Sequence, residues 1–272
     1  KLVRKHAHAR GIERPEIVVL DGAFHGRTLA TLAATPRLAR DDLFGPLPEG
    51  FVHVPRDDAG ALSDAVGERT AAVMVEPIQG EAGVHPIAEG VLSAAREACD
   101  RVGALLVFDE IQTGMGRTGT LWAYESLPVR PDVMTSAKAL GGGLPVSACV
   151  TAPEVGEGLT LGEHGSTFAG GPICARAALA ALEVLADPGL LAAVGERAAE
   201  LRAALAAHPA VEAIRGRGLM VGLALVEGVD SRAVAGAALA GGLVVNAPNP
   251  ETIRLLPPLT IGSDELSRGL DR

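Results

Sequence analysis

One lysine stands alone in an apolar, glycine-rich segment of the chain. Lys138 lies in D-V-M-T-S-A-K-A-L-G-G-G-L-P, whereas the other two lysines, Lys1 and Lys5, open a chain whose remaining basic residues are arginine. Partial desolvation among apolar neighbours frees an amine to act as a nucleophile in Schiff-base chemistry. Arginine cannot take this role, because it keeps its proton. We therefore predict a catalytic role for Lys138, with a chance surface lysine as the alternative.

A second candidate is the carboxylate pair that ends L-L-V-F-D-E, Asp109 and Glu110. An apolar strand that ends in this way resembles the Walker B segment of a nucleotide triphosphatase. Such a protein also needs the phosphate loop G-x-x-x-x-G-K-[ST], and this sequence contains no Gly-Lys pair. A nucleotide triphosphatase thus stays a minor alternative, and a solvated strand end is the simplest structural explanation.

Two further segments carry side chains that could bind a ligand or perform acid/base chemistry. In A-F-H-G-R-T, Phe24 could stack on a ring and Arg27 could grip a carboxylate with two hydrogen bonds. In V-E-P-I-Q-G-E-A-G, Glu76 and Glu81 flank a turn and could perform acid/base work. An ordinary turn would explain either segment taken alone.

Small hydroxyl residues mark a possible phosphate site at H-G-S-T-F. There Ser166 and Thr167, together with a glycine, could cradle a phosphate through backbone N–H and side-chain oxygen atoms. The histidines of the chain show no metal-ligand spacing, so we predict no metal.

Short apolar runs alternate with helix-like segments in the first two thirds of the chain. This order predicts an α/β fold with a mainly parallel sheet, in which ligands lie at the carboxyl ends of the strands. Glu76, Asp109 and Lys138 all follow such strands. The predicted strands are Ile17–Leu20, Ala71–Val75, Ala104–Phe108 and Val133–Met134, and the helices between them are Ala59–Arg69 and Ile87–Val102.

Asp187-Pro188-Gly189 interrupts the pattern after a helix at 174–185 and indicates a domain boundary. We predict a large domain at 1–186 and a smaller α+β domain at 187–272. The predicted elements of the smaller domain are helices at Leu190–Ala207 and Ser231–Ala240, and strands at Val211–Arg215, Leu219–Val226, Leu243–Asn246 and Thr252–Leu255.

Composition narrows the function classes. A net charge of -9 without blocks of like charge argues against a nucleic-acid partner. Three widely spaced cysteines form no disulfide framework. No apolar run has the length of a membrane span, and the basic stretch Lys1–Arg10 leads into no hydrophobic signal segment. We expect a soluble, cytoplasmic protein.

The motifs together, in their order along the chain, resemble the class III (ornithine-type) aminotransferases. The resemblance rests on F-H-G-R-T, V-E-P-I-Q-G-E-A-G, F-D-E-I-Q-T-G-M-G-R-T-G, S-A-K-A-L-G-G-G-L-P, H-G-S-T-F and I-R-L-L-P-P-L, and it covers nearly the whole chain. F-H-G-R-T-L and I-R-L-L-P-P-L-T-I are most similar to the acetylornithine subfamily. In the family, H-G-S-T-F continues as G-G-N-P, whereas this chain has Ala169-Gly170-Gly171-Pro172.

The resemblance implies pyridoxal 5'-phosphate (PLP) on a fold-type I scaffold. Lys138 would form the Schiff base with the cofactor and move the proton, and Asp109 would pair with the pyridinium nitrogen. Gln112 would bind the 3'-oxygen of the ring, and Phe24 would stack on the ring. His25 would support the cofactor.

The resemblance also implies a homodimer with shared active sites and two carboxylate-binding arginines. Ser166 and Thr167 would lie at the cofactor phosphate, with Thr167 reaching that of the neighbouring subunit. Arg254 would bind the α-carboxylate of glutamate or 2-oxoglutarate, and Arg27 would bind another carboxylate. Glu81 would pair with Arg254 when no substrate carboxylate is there. Glu76 would support this site.

The implied reaction moves the ω-amino group of N-acetylornithine to 2-oxoglutarate, giving the semialdehyde and glutamate, in arginine biosynthesis. Ornithine, 4-aminobutyrate and succinylornithine aminotransferases are alternatives. In the family, a Gly/Ser/Thr phosphate loop and an N-terminal portion precede the helix that resembles Lys1–Gly11. A truncated, non-catalytic homologue that holds PLP poorly is therefore a further alternative.

Overall fold

The computed structural model describes residues 1–36 and 44–272, which fall into two compact units. The first unit comprises Lys1–Pro77, Ile87–Gln112 and Tyr124–Ala181, and the second comprises Ile78–Pro86, Thr113–Ala123 and Leu182–Arg272. The second unit thus includes three short segments from the stretch for which the sequence predicts the large domain: Ile78–Pro86, Thr113–Ala123 and residues 182–186. The division at residues 186 and 187 stays a prediction.

A twisted sheet of six strands forms the centre of the described part of the first unit. Its strand order is β2-β1-β3-β6-β7-β8, with every neighbouring pair parallel except β7 and β8. The strands are β1 (Glu16–Leu20), β2 (Phe51–Val54), β3 (Thr70–Val75), β6 (Leu105–Asp109), β7 (Val133–Ser136) and β8 (Ala148–Thr151). The expected α/β fold with a mainly parallel sheet is confirmed, whereas β2 and β8 were not expected from the sequence.

Helices cover both faces of this sheet, because successive strand residues point to opposite sides. On one face, Leu106 and Phe108 pack against α4 (Glu89–Val102), whose buried residues recur with helical spacing. On the other face, Leu105 and Val107 belong to a cluster with Leu2. The remaining helices of this unit are α1 (Leu2–Ala9), α2 (Leu29–Ala33), α3 (Ala59–Ala65), α5 (Pro153–Gly156) and most of α6 (Pro172–Leu185).

The second unit is an α+β structure with an antiparallel sheet in the order β11-β12-β10-β9. Its core contains Val194, Leu201, Leu223 and Ile253. Its elements are the short hairpin of β4 (Ile78–Gln79) and β5 (His85–Pro86), the strands β9 (Val211–Arg217), β10 (Met220–Leu225), β11 (Asn246–Asn249) and β12 (Thr252–Leu255), and the helices α7 (Pro188–Leu205), α8 (Ser231–Ala240) and α9 (Ser263–Leu270).

One predicted strand of this unit is displaced along the chain. The sequence predicts a strand at Leu243–Asn246, whereas β11 begins only at Asn246. Gly242 has a φ of 83°, and the N–H of Leu243 donates to the carbonyl of Ala238. The end of α8 therefore uses these residues for its own termination, and the strand starts later.

Among the residues that the structure describes, no single helix is both long and apolar enough to cross a membrane. Only the successive helices α6 and α7, taken together, reach the required length and apolarity.

Candidate active site

Three neighbouring parallel strands bring ionisable residues to one edge of the first unit's sheet. Asp109 is the last residue of β6, Glu76 directly follows β3, and Lys138 follows β7 by two residues. β3, β6 and β7 are adjacent, and Asp109 lies opposite Thr135 in the register. The carboxyl ends of such strands form the usual ligand site of an open α/β sheet.

Asp109 is a buried carboxylate held by three hydrogen-bond donors. Its side chain is 5% exposed, and its Oδ2 lies 2.8 Å from Nδ1 of His25. Its Oδ1 accepts hydrogen bonds from the N–H of Ile111 at 3.1 Å and from the hydroxyl of Thr135 at 3.2 Å. The charged group therefore has a fixed position before any ligand binds, which is the property that catalytic electrostatics require.

His25 is fixed as firmly as the carboxylate that it contacts. Its side chain is fully buried, and its backbone N–H donates to the hydroxyl of Thr35 at 3.0 Å. Because a carboxylate only accepts, the proton of a neutral imidazole lies on Nδ1, facing Asp109. Nε2 is buried and has no hydrogen-bond partner among the described residues.

Glu76 connects the end of β3 to the loop that carries Phe24. Its Oε2 accepts a hydrogen bond of 2.8 Å from the backbone N–H of Phe24, and the carboxylate is buried. Arg27 lies over the ring of Phe24, with its guanidinium carbon 5.9 Å from the ring centroid. Glu76 thus orients the F-H-G-R-T loop, while Arg27 itself is exposed.

Lys138 begins a short 3-10 helix, Lys138–Gly141, and has a φ of 49°. A positive φ is uncommon for a residue with a side chain and is found most often at functional sites. Lys138 borders an open cleft of about 650 Å³ that is also lined by Ala137, Leu144 and Ser147. The sequence predicts partial desolvation of Lys138, but its side chain is exposed in this chain. The reason is that its apolar neighbours line an open surface.

The remaining cofactor candidates lie in two other places of the first unit. Gln112 is half-buried, three residues after Asp109. Ser166 and Thr167 are exposed, in a turn in which the N–H of Ala169 donates to the carbonyl of Ser166.

The second unit contains the other two predicted site residues, which form an ion pair. Arg254 lies on β12, and its guanidinium donates to Oε1 of Glu81 at 2.7 Å. The side chain of Arg254 is 10% exposed and that of Glu81 is 42% exposed. An acidic and a basic candidate therefore neutralise each other, as the predicted exchange of Glu81 for a substrate carboxylate requires.

Two supporting residues went unnoticed in the sequence. Thr135 donates to Asp109, and the alignment of the ends of β6 and β7 could have indicated it. Arg117, from the G-M-G-R-T-G segment, donates to the carbonyls of Leu219 at 3.2 Å and Pro257 at 2.6 Å. Burial lowers the pKa of Arg117 to about 10, so this motif arginine has a structural role within the second unit.

The sequence and the fold assign the chain to a protein family. The family model for class III aminotransferases matches residues 1–272, and the chain belongs to this family. The resemblance of the sequence motifs to this family is thereby confirmed.

The curated relatives include several acetylornithine aminotransferases. The enzyme of Rhodobacter capsulatus is 44% identical over 278 residues, which cover 100% of this chain and 70% of the relative. That of Mycobacterium bovis is 49% identical over 257 residues, covering 93% of this chain and 64% of the relative. The chain thus spans about two thirds of the length of these relatives, and the predicted similarity to the acetylornithine subfamily is confirmed.

Solved structures of related enzymes share the fold. The ornithine aminotransferase of Toxoplasma gondii superposes with a TM-score of 0.93 at 33% identity, covering 99% of this chain and 67% of that chain. A second structure of that enzyme is described as showing partial occupancy of PLP at its active site. The N-acetylornithine aminotransferase of Stenotrophomonas maltophilia gives a TM-score of 0.84 at 36% identity, covering 100% of this chain and 68% of that chain.

Proposed function

We propose that the protein carrying this chain is a PLP-dependent aminotransferase. It would transfer the ω-amino group of N-acetylornithine to 2-oxoglutarate, a step of arginine biosynthesis. The observation that carries the proposal is the buried Asp109 carboxylate, which His25 holds at the end of β6. The neighbouring strand, β7, leads to Lys138. The similarity to acetylornithine aminotransferases supports N-acetylornithine as the donor.

The residues at this sheet edge suit PLP. The cofactor needs an amine, a carboxylate for its ring nitrogen and a face on which its ring can lie, and Lys138, Asp109 and Phe24 are groups of these types. Two buried polar atoms, Nε2 of His25 and Oγ of Ser136, have no hydrogen-bond partner among the described residues. Buried polar atoms are rarely left unpaired in a complete site, so their presence here supports a polar occupant.

Bound PLP would supply an electron sink that stabilises negative charge on the carbon bearing the substrate's amino group. Lys138 would hold the cofactor, and its Nζ would move the proton between that carbon and C4' of the cofactor. Asp109 would keep the ring nitrogen protonated, and His25 would hold Asp109 in place. Gln112 would bind the 3'-oxygen of the ring.

Substrate recognition would depend on arginine. Arg254 would bind the α-carboxylate of glutamate or 2-oxoglutarate, and Glu81 would neutralise it when the ω-amine donor presents no carboxylate there. Arg27, which is exposed beside the ring of Phe24, would bind a second carboxylate. Glu76 would act indirectly, by fixing the loop of Phe24.

We further propose a homodimer with shared active sites. Large apolar side chains are exposed along residues 144–179 of the first unit, and exposed apolar surface marks contacts with other proteins where it is contiguous. Phe168, next to Ser166 and Thr167, is 90% exposed. A second copy that covers this stretch would place Thr167 at the neighbour's cofactor phosphate. The exposed apolar residues of the stretch are Leu144, Val150, Leu161, Phe168, Ile173 and Leu179.

Covalent trapping tests the cofactor and the lysine together. The full-length protein is mixed with PLP, its visible absorption is recorded, and the complex is reduced with borohydride and mapped by peptide mass. Within the sequence of this chain, Lys138 lies more than 130 residues from Lys1 and Lys5, so peptide mapping separates a label on Lys138 from labels on the other two. We expect a visible band and a single label on Lys138, and loss of both in Lys138→Arg. A label spread over Lys1 and Lys5 would contradict the proposal.

Donor screening and subunit mixing test the rest. With 2-oxoglutarate as the acceptor, N-acetylornithine should be consumed faster than ornithine, 4-aminobutyrate or succinylornithine. Mixtures of the inactive variants Lys138→Ala and Thr167→Ala should regain part of the wild-type activity, since one of the two sites in a mixed dimer would contain both native residues. No recovery, with dimers present by light scattering, would contradict shared active sites.

A further inference from the structure

The turn between β4 and β5 carries Glu81 and packs closely against the antiparallel sheet of the second unit at a glycine, Gly222. A Cβ atom on Gly222 of β10 would lie 2.9 Å from the carbonyl oxygen of Gly83 and 2.7 Å from Cβ of Val84. The absence of a side chain at Gly222 therefore permits the close approach. Val84 is fully buried with a φ of 58°, a strained backbone for a β-branched residue that persists only where the surroundings enforce it.

Two arginines flank this contact in the same row of the sheet. Gly222 lies opposite Arg254 on β12 and opposite Arg215 on β9. Residues aligned in this way on neighbouring strands share a face. Arg254 donates to Glu81, whereas Arg215 donates to the hydroxyl of Thr252 at 2.8 Å.

Asn249 ties the hairpin to the sheet next to Glu81. Its Nδ2 donates to the carbonyl of Ala82 at 2.8 Å, and its Oδ1 accepts from the N–H of Glu251 at 3.0 Å. Its backbone carbonyl accepts from the hydroxyl of Ser231 at 2.5 Å. One end of the amide thus shapes the turn between β11 and β12, while the other end holds the carbonyl of Ala82, the residue that follows Glu81.

We propose that Asn249 is a positioning residue that keeps Glu81 against Arg254 and thereby sets how readily Arg254 accepts a substrate carboxylate. The inference rests on the proposed function, in which the two carboxylates compete for Arg254. Holding the Ala82 peptide keeps the Glu81 carboxylate at a high effective concentration beside the guanidinium. The apparent affinity for a substrate carboxylate is proportional to the fraction of protein in which Arg254 is not paired with Glu81.

The test uses a dicarboxylate that binds without reacting. Glutarate has neither an amino nor a keto group, so its dissociation constant, measured by calorimetry on the cofactor-loaded protein, reports carboxylate capture alone. Asn249→Ser retains a hydroxyl that can accept from the N–H of Glu251 but is too short to reach Ala82. Ser231→Ala is the matched control, because it removes a different hydrogen bond to the same residue.

We expect Asn249→Ser to bind glutarate about two- to tenfold more tightly than the wild type, the range that one hydrogen bond spans. Glu81→Gln should bind it at least as tightly as Asn249→Ser, and Ser231→Ala should stay within about twofold of the wild type. In steady-state assays, the KM for 2-oxoglutarate should fall in Asn249→Ser with kcat unchanged. Asn249→Thr provides a second neutral variant with the same expectation if the serine variant folds poorly.

Unchanged or weaker glutarate binding in Asn249→Ser, or an equal change in Ser231→Ala, would overturn the inference. Absence of glutarate binding in every variant would overturn it as well. Failure of the proposed function would give a different result: the wild type would then bind glutarate without converting any amino donor.

Discussion

Two candidate carboxylates, Asp109 in the first unit and Glu81 in the second, are held in opposite ways. Asp109 is 5% exposed and receives hydrogen bonds from His25, Thr135 and the backbone of Ile111. Glu81 is 42% exposed and makes an ion pair with Arg254. The first arrangement fixes a charge permanently, whereas the second leaves water access to a charge that another carboxylate can replace.

The difference agrees with the roles that we propose for the two charges. A group that stabilises a protonated ring must stay in place, and several donors in a dry site achieve this. A group that must leave when a substrate carboxylate arrives needs a pairing energy small enough to be exchanged, as partly exposed ion pairs have. We therefore expect substitutions at the two residues to separate rate from selectivity.

The largest effect should come from neutralising the fixed carboxylate. Asp109→Asn keeps the shape of the side chain but removes its charge, so we expect kcat with N-acetylornithine to fall by about 10²- to 10³-fold, the range seen when one preorganised electrostatic group is lost. Glu81→Gln in the same assay should change kcat by less than about tenfold and alter mainly the KM for 2-oxoglutarate. Equal losses of kcat in both variants would remove the distinction between the two residues.

The next effect concerns the residue that fixes Asp109. His25→Leu fills a similar volume but leaves Oδ2 of Asp109 without its donor in a buried place, which should lower the free energy of unfolding by about 2 to 3 kcal/mol. His25→Asn is the matched control, because its amide can replace Nδ1 as a donor and should restore part of the loss. Urea unfolding of the two variants measures the difference. A His25→Leu protein as stable as the wild type would show that the hydrogen bond does not hold the carboxylate.

The sequence was sufficient to predict the elements that end at the site. Lys138, Asp109 and Glu76 follow apolar strands whose order indicated a parallel sheet, and the family motifs assigned their roles. The position of the hairpin with Glu81 was harder to predict from the sequence. It depends on the hydrogen bond from Asn249 to Ala82, two residues that lie 167 positions apart. No local pattern reports such a contact.

The short edge strands could not be predicted from the sequence either. β8 follows a glycine-rich turn, and three of its four residues are exposed, so it lacks the buried apolar run that predicts a strand. Thr35 gave no signal for its contact with His25, because nothing in the local sequence L-A-A-T-P indicates a hydrogen bond to a residue ten positions away. These features depend on tertiary pairing, which overrides local propensity.

Burial in the core of the first unit also disfavours a charge on Cys99, and this leads to an effect of intermediate size. Burial raises the pKa of Cys99, in the core of the first unit, from 9.0 to about 11. Since the unfolded chain then loses its proton first, stability is complete below pH 9 and declines as the pH rises from 9 to 11. We expect a loss of about 2 kcal/mol at pH 11 relative to pH 8.

The alkaline loss can be assigned to Cys99 with one variant. Cys99→Val keeps an apolar side chain of similar size but has no proton to lose, so its free energy of unfolding should decline less over this range. Chemical denaturation at pH 8, 9, 10 and 11 compares the two proteins. Parallel curves would assign the alkaline loss to other groups.

The smallest effect should come from the exchangeable pair itself. Glu81→Gln should change the free energy of unfolding by less than about 1 kcal/mol, because Glu81 is substantially exposed and water replaces much of what its carboxylate loses. The same difference should shrink further in 1 M NaCl, where the screening length is about 3 Å. Urea unfolding at low and high salt measures both quantities. A loss above about 2 kcal/mol that persists in salt would mean that Glu81 is fixed as firmly as Asp109, and a carboxylate held so firmly could not give way to a substrate.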